Sequence, residues 1–320
     1  MSLRLVMLGT GSFALSTFQG LYESSHKVVG LVTQPDHTGR GHHNHVNPMK
    51  ELATEHGTPV FQPARANEAA SLDQLREFNA DLFVTAAYGQ ILSAELLSIP
   101  RLGAINVHAS LLPKYRGAAP IQFAIINGET ETGITIFRIE PKLDAGPVLG
   151  VVKTVIGEKE TYGELQDRLA ELAVPLTCQV VDDLAAGTTQ GSIQDASLVT
   201  KAPRLKKTDG AIPWQKPSWL VGCHIRGVQP WPKPSTVLNS GEASIRMLVL
   251  DVETSDHPVS GDPGTVEVVD KKRLFVKTGD GSVELLSVQP EGKRPMSPAE
   301  FLNGKSIRTG DWFELPDQHV

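Results

Sequence analysis

Apolar positions along the first 185 residues switch repeatedly between two spacings. Short apolar runs at 3–8, 28–33, 60–61, 81–87, 105–108, 133–139 and 148–155 are bounded by Gly, Pro, Asn or Asp. Each run has the length and the β-branched content of a strand. Between them lie segments with helical spacing. They predict helices from the Gly9–Ala14 turn to about residue 24, over 49–56 behind an Asn47-Pro48 cap, and over 71–78 behind Ser71-Leu72-Asp73-Gln74. Two more run over 120–126 and from Thr161-Tyr162-Gly163-Glu164 to about 186. Strands and helices in alternation predict an α/β domain with a mostly parallel sheet. Past one further helix near 218–226 the pattern changes. Short strands at 243–252, 264–269, 273–278 and 282–288, separated by Gly/Asp turns, predict a small antiparallel barrel. The expected organisation is a domain over 1–187, a connector over 188–208 and a second domain over 209–320.

The strand at 105–108 is the most informative. Ile105 and Val107 alternate with Asn106 and His108, so an amide and an imidazole share one face where two more aliphatics would have fitted. Ser110-Leu111-Leu112-Pro113 then ends regular pairing. The carboxyl ends of parallel strands are where open α/β sheets build their sites. A satisfied core or edge residue is the plain alternative for either side chain. Asp144, between the turn formers Pro141 and Gly146-Pro147, reads equally as a turn residue.

Gly9-x-Gly11-x-x-Ala14 has the shape of a dinucleotide fingerprint. That fingerprint needs an acid at the end of the second strand. Here the strand ends Thr33-Gln34-Pro35 and Asp36 follows the proline, which favours an ordinary strand-to-helix turn. His42, His43 and His45 lie in a polar loop without a cysteine or carboxylate, so no metal is expected.

Length and charge narrow the classes. The 320 residues allow two domains, and no apolar run is long enough for a bilayer. No signal-peptide flank precedes the first strand and Cys178 and Cys223 are far apart, so a cytoplasmic location without disulfides is expected. The net charge of −6 is uneven: residues 1–200 carry −7 and residues 201–320 carry +1. Lys201, Arg204, Lys206 and Lys207 cluster in the connector with no acid among them. They read as a solvated linker or as phosphate contacts.

Asn106-x-His108 with Ser110-Leu111-Leu112-Pro113, and Asp144 in Leu-Asp-Ala-Gly, resemble the signature of folate-dependent formyltransferases. Ala87–Leu92, Tyr115–Gln122, Ile225-Arg226, Pro230-Trp231-Pro232 and Gln289–Arg294 are similar to the family members that act on tRNA. The resemblance covers essentially the whole chain, and its second-domain motifs are the more specific part. It implies a Rossmann-like catalytic domain followed by an OB-like barrel. It implies transfer of a formyl group from 10-formyltetrahydrofolate to the α-amino group of methionyl initiator tRNA, as in translation initiation.

By that resemblance Asn106, His108 and Asp144 are catalytic. Asn106 would donate to the developing oxyanion, His108 would move a proton, and Asp144 would favour the imidazolium and fix its tautomer. Tyr88, Gly89, Gln90, Ile91 and Leu92 would line the pterin, and Ser110, Leu111, Leu112 and Pro113 the rest of the folate. Arg40 keeps the family arginine of a loop that reaches the tRNA acceptor end, with His42 and His43 where lysines are usual. Lys201, Arg204, Lys206 and Lys207 would then contact tRNA phosphates, and a monomer without metal is expected. Three other readings stay open. One is formyl transfer to another amine, such as a sugar nucleotide or glycinamide ribotide. The others are a nucleotide-binding sensor and a generic nucleic-acid module.

Overall fold

The computed structural model describes residues 1–36, 47–303 and 305–316. The chain divides into two compact units. The first comprises Met1–Pro120, Glu131–Val155 and Leu165–Pro203; the second comprises Ile121–Thr130, Ile156–Glu164 and Arg204–Val320.

The first unit is built on a seven-stranded sheet. Its strands are β1 (Arg4–Gly9), β2 (Lys27–Val32), β3 (Val60–Phe61), β4 (Leu82–Ala86) and β5 (Ala104–His108), with β7 (Glu131–Arg138) and β8 (Val148–Val155). The two-residue β6 (Arg116–Gly117) lies outside it and pairs in parallel with β9 (Lys201–Ala202). The order is β3-β2-β1-β4-β5-β7-β8. The first five strands run parallel, whereas β7 is antiparallel to β5 and β8 to β7. Central strands covered on both faces need apolar side chains at every position. Accordingly β1 is buried from Leu5 to Gly9 and β4 throughout. The order reverses at β1, which opens a crevice at the carboxyl ends of β1 and β4.

The crossovers use α1 (Ser12–Tyr22), α2 (Pro48–Glu55), α3 (Ala69–Glu77) and the short α4 (Ala94–Leu97). Asn47 caps α2, its side chain accepting from Met49 N–H at 3.2 Å, with Pro48 at the first helical position. Ser71 does not begin α3. The helix starts at Ala69 with Glu68 as its N-cap, and the Ser71 hydroxyl turns back to the Arg65 carbonyl at 2.9 Å. A serine inside the first turn can satisfy an upstream carbonyl as readily as it can cap, and here it does the former. Two helices cross the division between the units, α5 (Pro120–Ile126) and α6 (Tyr162–Ala186). The Thr161/Glu164 box that opens α6 is present in both directions, Thr161 N–H to Glu164 at 2.9 Å and Glu164 N–H to Thr161 Oγ1 at 3.4 Å.

The second unit carries α7 (Ser218–Gly227), β10 (Ser235–Ser240), β11 (Ala243–Ser255), β12 (Val266–Val269), β13 (Arg273–Lys277), β14 (Ser282–Pro290), α8 (Pro298–Asn303) and β15 (Trp312–Phe313). The order is β12-β13-β14-β11-β10-β15. A bridge between Thr265 and Trp312 ties the two ends, making an antiparallel, nearly closed barrel that is OB-like. Closure removes the exposed edges that an open sheet would leave. Trp214, fully buried, stacks on Phe313 with centroids 5.3 Å apart and donates its indole N–H to Thr236 Oγ1 at 3.3 Å.

His224, on the buried side of α7, has no partner for Nε2 among the described residues. Burial, reinforced by Lys216, pulls its pKa from 6.5 down to about 4. A lowered histidine pKa means that the unfolded chain binds the extra proton first. Stability is therefore retained above 6.5 and is lost as pH falls from 6.5 towards 4. By pH 5 the loss from this residue is on the order of 2 kcal/mol. Denaturant unfolding of wild type and His224→Gln at pH 7 and pH 5 checks this: the pH-dependent difference should shrink by about that amount in the variant. Equal pH dependence in the two proteins would contradict it.

No helix among the described residues is long and apolar enough to cross a membrane. Cys178 and Cys223 are both free thiols.

Candidate active site

β5 lies between β4 and β7, so its side chains are placed by ladders on both sides. Asn106 is level with Thr85 and Phe137, and His108 with Thr135. His108 is only 5% exposed. Its Nε2 lies 3.0 Å from the Tyr115 carbonyl oxygen. A carbonyl can only accept, so this bond assigns the proton to Nε2 and leaves the lone pair on Nδ1. Burial lowers the His108 pKa. The charge of Asp144 opposes that shift, the Tyr115 bond opposes it too, and Arg116 adds to it. The group is therefore held as neutral imidazole at pH 7, with one nitrogen free to take a proton. The bond that selects the tautomer comes from Tyr115, whereas the family resemblance implied Asp144 for that task. No hydrogen bond to another described residue engages the Asn106 amide.

The loop after β5 is fixed from several sides. Ser110 Oγ donates to the Lys114 carbonyl at 2.7 Å, and Thr135 Oγ1 donates to the Ser110 carbonyl at 2.7 Å while accepting from Leu112 N–H at 3.1 Å. Tyr115 N–H donates to Thr200 Oγ1 at 2.8 Å. Asp144 uses its carboxylate on this loop: Oδ2 accepts from Gly117 N–H at 2.8 Å. Gln194 closes the arrangement. Its Nε2 donates to the Asp144 and Gly146 carbonyls at 2.9 and 2.8 Å, and its Oε1 accepts from the Arg116 guanidinium at 2.7 Å.

Backbone strain gathers at the same place. Ala87, Tyr115 and Asp144 all occupy left-handed conformations, with φ of 48°, 61° and 46°. Non-glycine residues persist there only where surrounding bonds hold them. Gly146 is required for a different reason: a Cβ would stand 1.8 Å from the Arg138 carbonyl oxygen. Thr135 and Gln194 were not legible as site residues. A threonine inside a strand and a glutamine in coil carry no motif, and their role arises only from what the fold sets beside them.

The segment 88–92 divides between structure and surface. Tyr88 and Leu92 are buried, and burial pushes the Tyr88 hydroxyl up to about 12. Gln90 is spent on the 63–66 loop, accepting from Ala66 N–H at 2.9 Å and donating to the Pro63 carbonyl at 3.3 Å. Ile91 is 80% exposed. At Gly89, with φ of 82°, the nearest atom to an added Cβ is Gln34 Nε2 at 3.6 Å. Gln34 also donates to the Tyr88 carbonyl at 2.9 Å. Leu111, Leu112 and Pro113 are half-buried, while the Ser110 side chain is fully enclosed.

Lys201, Arg204, Lys206 and Lys207 are all exposed; Lys201 belongs to the first unit and the other three to the second. Arg40 and the histidines at 42, 43 and 45 lie outside the described residues. Among the described residues no group of three or more His, Cys, Asp or Glu could hold a metal ion.

Comparison with known proteins places the chain in a family. The family profile described as Formyl transferase matches residues 3–181, and that described as Formyl transferase, C-terminal domain, matches 204–306. The chain is similar to a methionyl-tRNA formyltransferase of Methylococcus capsulatus, at 41% identity over 95% of this chain and 98% of the relative. It is also similar to one of Agathobacter rectalis, at 38% identity over 98% and 100%. Among solved structures, an N-formyltransferase of Helicobacter canadensis, in complex with folinic acid and dTDP-3-aminofucose, shares the fold. It aligns with a TM-score of 0.67 at 16% identity, covering 91% of this chain and all of that one. Matched along nearly its whole length at about 40% identity, the chain belongs to the methionyl-tRNA formyltransferase family.

Proposed function

We propose that this protein transfers the formyl group of 10-formyltetrahydrofolate to the α-amino group of methionyl initiator tRNA, giving N-formylmethionyl-tRNA. The observation that carries the reading is the Asn106/His108 pair at the carboxyl end of β5, with its loop held by Asp144 and Gln194, in a chain of this family. The donor supplies an activated formyl carbon. The open backbone at Gly89 beside exposed Ile91 suits a planar ring, and the half-buried Leu111, Leu112 and Pro113 suit the apolar remainder of a folate.

As the amine attacks, negative charge collects on the formyl oxygen, and the Asn106 amide donates a hydrogen bond to it. The amine must also lose a proton. His108 takes it at Nδ1, the nitrogen that its bond to Tyr115 leaves unprotonated, and hands it to the departing folate nitrogen. Asp144 makes the transient imidazolium less costly through its charge. Asp144 and Gln194 are positioning residues as well, because they fix Gly117 and Arg116. Arg40, Lys201, Arg204, Lys206 and Lys207 serve tRNA phosphates on this reading, and the enzyme works as a monomer in the cytoplasm.

A formyl-transfer assay with 10-formyltetrahydrofolate and charged initiator tRNA tests the assignment. N-formylmethionyl-tRNA is the expected product. Formylation of an amino sugar nucleotide with methionyl-tRNA left untouched would move the acceptor to a small amine.

A further inference from the structure

In the second unit, the turn after α7 presents an indole to solvent. Trp231 is 47% exposed although prolines flank it on both sides. Its surroundings are tied down. Lys233 N–H donates to the Val228 carbonyl at 2.8 Å, and Gly163 N–H donates to the Gln229 carbonyl at 3.0 Å. The Gln229 side chain donates to the carbonyls of Ile225 and Leu250 at 3.0 and 2.9 Å. Prolines on each side remove most of the remaining backbone freedom. A large aromatic is thus held nearly rigid and left half in water.

Two observations say what should cover it. First, Lys233 is exposed and sits at φ 84°, a conformation that glycine adopts freely and lysine does not. That angle sets an exposed, ammonium-bearing residue in the same short turn as the indole. Second, the 207–210 turn packs against the same residue, since an added Cβ on Gly210 would stand 2.2 Å from the Lys233 carbonyl oxygen. That contact brings Lys206 and Lys207, the end of the basic connector, beside the indole's turn. Among the described residues none of these three ammonium groups is in an ion pair. The one carboxylate in that turn, Asp209, is engaged by Lys206 N–H. An exposed, rigid aromatic with unpaired lysines in its own turn and in the turn packed against it matches the way proteins hold unstacked nucleobases along a phosphate backbone.

We infer that Trp231 is a stacking platform for a nucleobase of the tRNA substrate, with Lys233 and Lys207 on the adjoining phosphates. This rests on the tRNA reading above and adds a specific residue to it. Trp231→Ala should raise KM for methionyl-tRNA roughly 10-fold, as expected for the loss of one base–aromatic stack. It should leave kcat and KM for the formyl donor unchanged, and Trp231→Phe should restore most of the affinity. Adding tRNA should quench part of the tryptophan fluorescence of wild type, and that part should be missing in Trp231→Phe. Lys233→Gly should melt no lower than wild type, because it relieves the backbone, yet lower the slope of log KM against log salt by somewhat less than one.

A folded Trp231→Ala with wild-type KM for tRNA would overturn the proposal. If that variant does not fold, equal quenching in wild type and Trp231→Phe would overturn it. Quenching assigned to Trp231 without any formyl transfer to methionyl-tRNA would keep the platform and discard the acceptor assignment instead.

Discussion

Truncation of Asn106 to alanine is expected to lower kcat by about 10²- to 10³-fold, the usual cost of removing one donor from an oxyanion site. KM for donor and acceptor should change little. The reason is when the bond matters. A formyl oxygen in the ground state is a neutral acceptor, and a donor gains only modestly from it. In the transition state the oxygen carries charge, and the same N–H is worth far more. Asn106 is suited to this because β4 and β7 hold its backbone on both sides while no described residue competes for its amide. Asn106→Asp is the sharper companion, since it replaces the donor with a negative charge and should lose at least as much. Steady-state kinetics on the two variants, with melting temperatures as the folding control, decide the matter. A kcat within about threefold of wild type in Asn106→Ala would remove the oxyanion role.

The parts of this site differ in how far they could be read from sequence. The β5 pair was legible because strand alternation is strict: once residues 105–108 are a strand, Asn106 and His108 must share a face. The capping box of α6 and the proline-led start of α2 were legible for the same local reason. Strand direction was not, because periodicity is the same either way. The antiparallel turn of β7 and β8 onto an otherwise parallel sheet had no local signal. β10 carries little strand signal because Ser235-Thr236-Val237-Leu238-Asn239-Ser240 is mostly polar, although Thr236 and Leu238 face the barrel core. Pairs as short as β6 and β9 have no period at all. They nevertheless place Arg116 where Gln194 can hold it. The chemistry of His108 was the least accessible. Its tautomer depends on a main-chain carbonyl seven residues away, and no side-chain pattern encodes that.

Replacing His108 by glutamine should cost between about 10² and 10⁴ in kcat, the range for removal of a positioned general base. Glutamine can still donate to the Tyr115 carbonyl, so the loop keeps its bond and the missing property is the titrating nitrogen. The pH dependence follows from the direction of the shift. Burial sets the His108 pKa below its ordinary value, so Nδ1 is unprotonated at pH 7 and becomes blocked only as pH falls through the lowered pKa. The acid limb of kcat/KM should therefore lie below the ordinary histidine range. Asp144 works against burial, raising that pKa by its charge. Asp144→Asn removes the charge but retains an oxygen for Gly117 N–H, so the loop bond survives while the electrostatic effect is lost. The variant should be slower at pH 7, because the imidazolium formed in the reaction is no longer stabilised, and its acid limb should move to lower pH. Any titration of the methionyl amine is common to both proteins and cancels in their ratio. The ratio of variant to wild-type kcat/KM should then climb as pH falls. A constant ratio from pH 5 to 8 would reduce Asp144 to an anchor for Gly117, with no electrostatic part in the proton transfer.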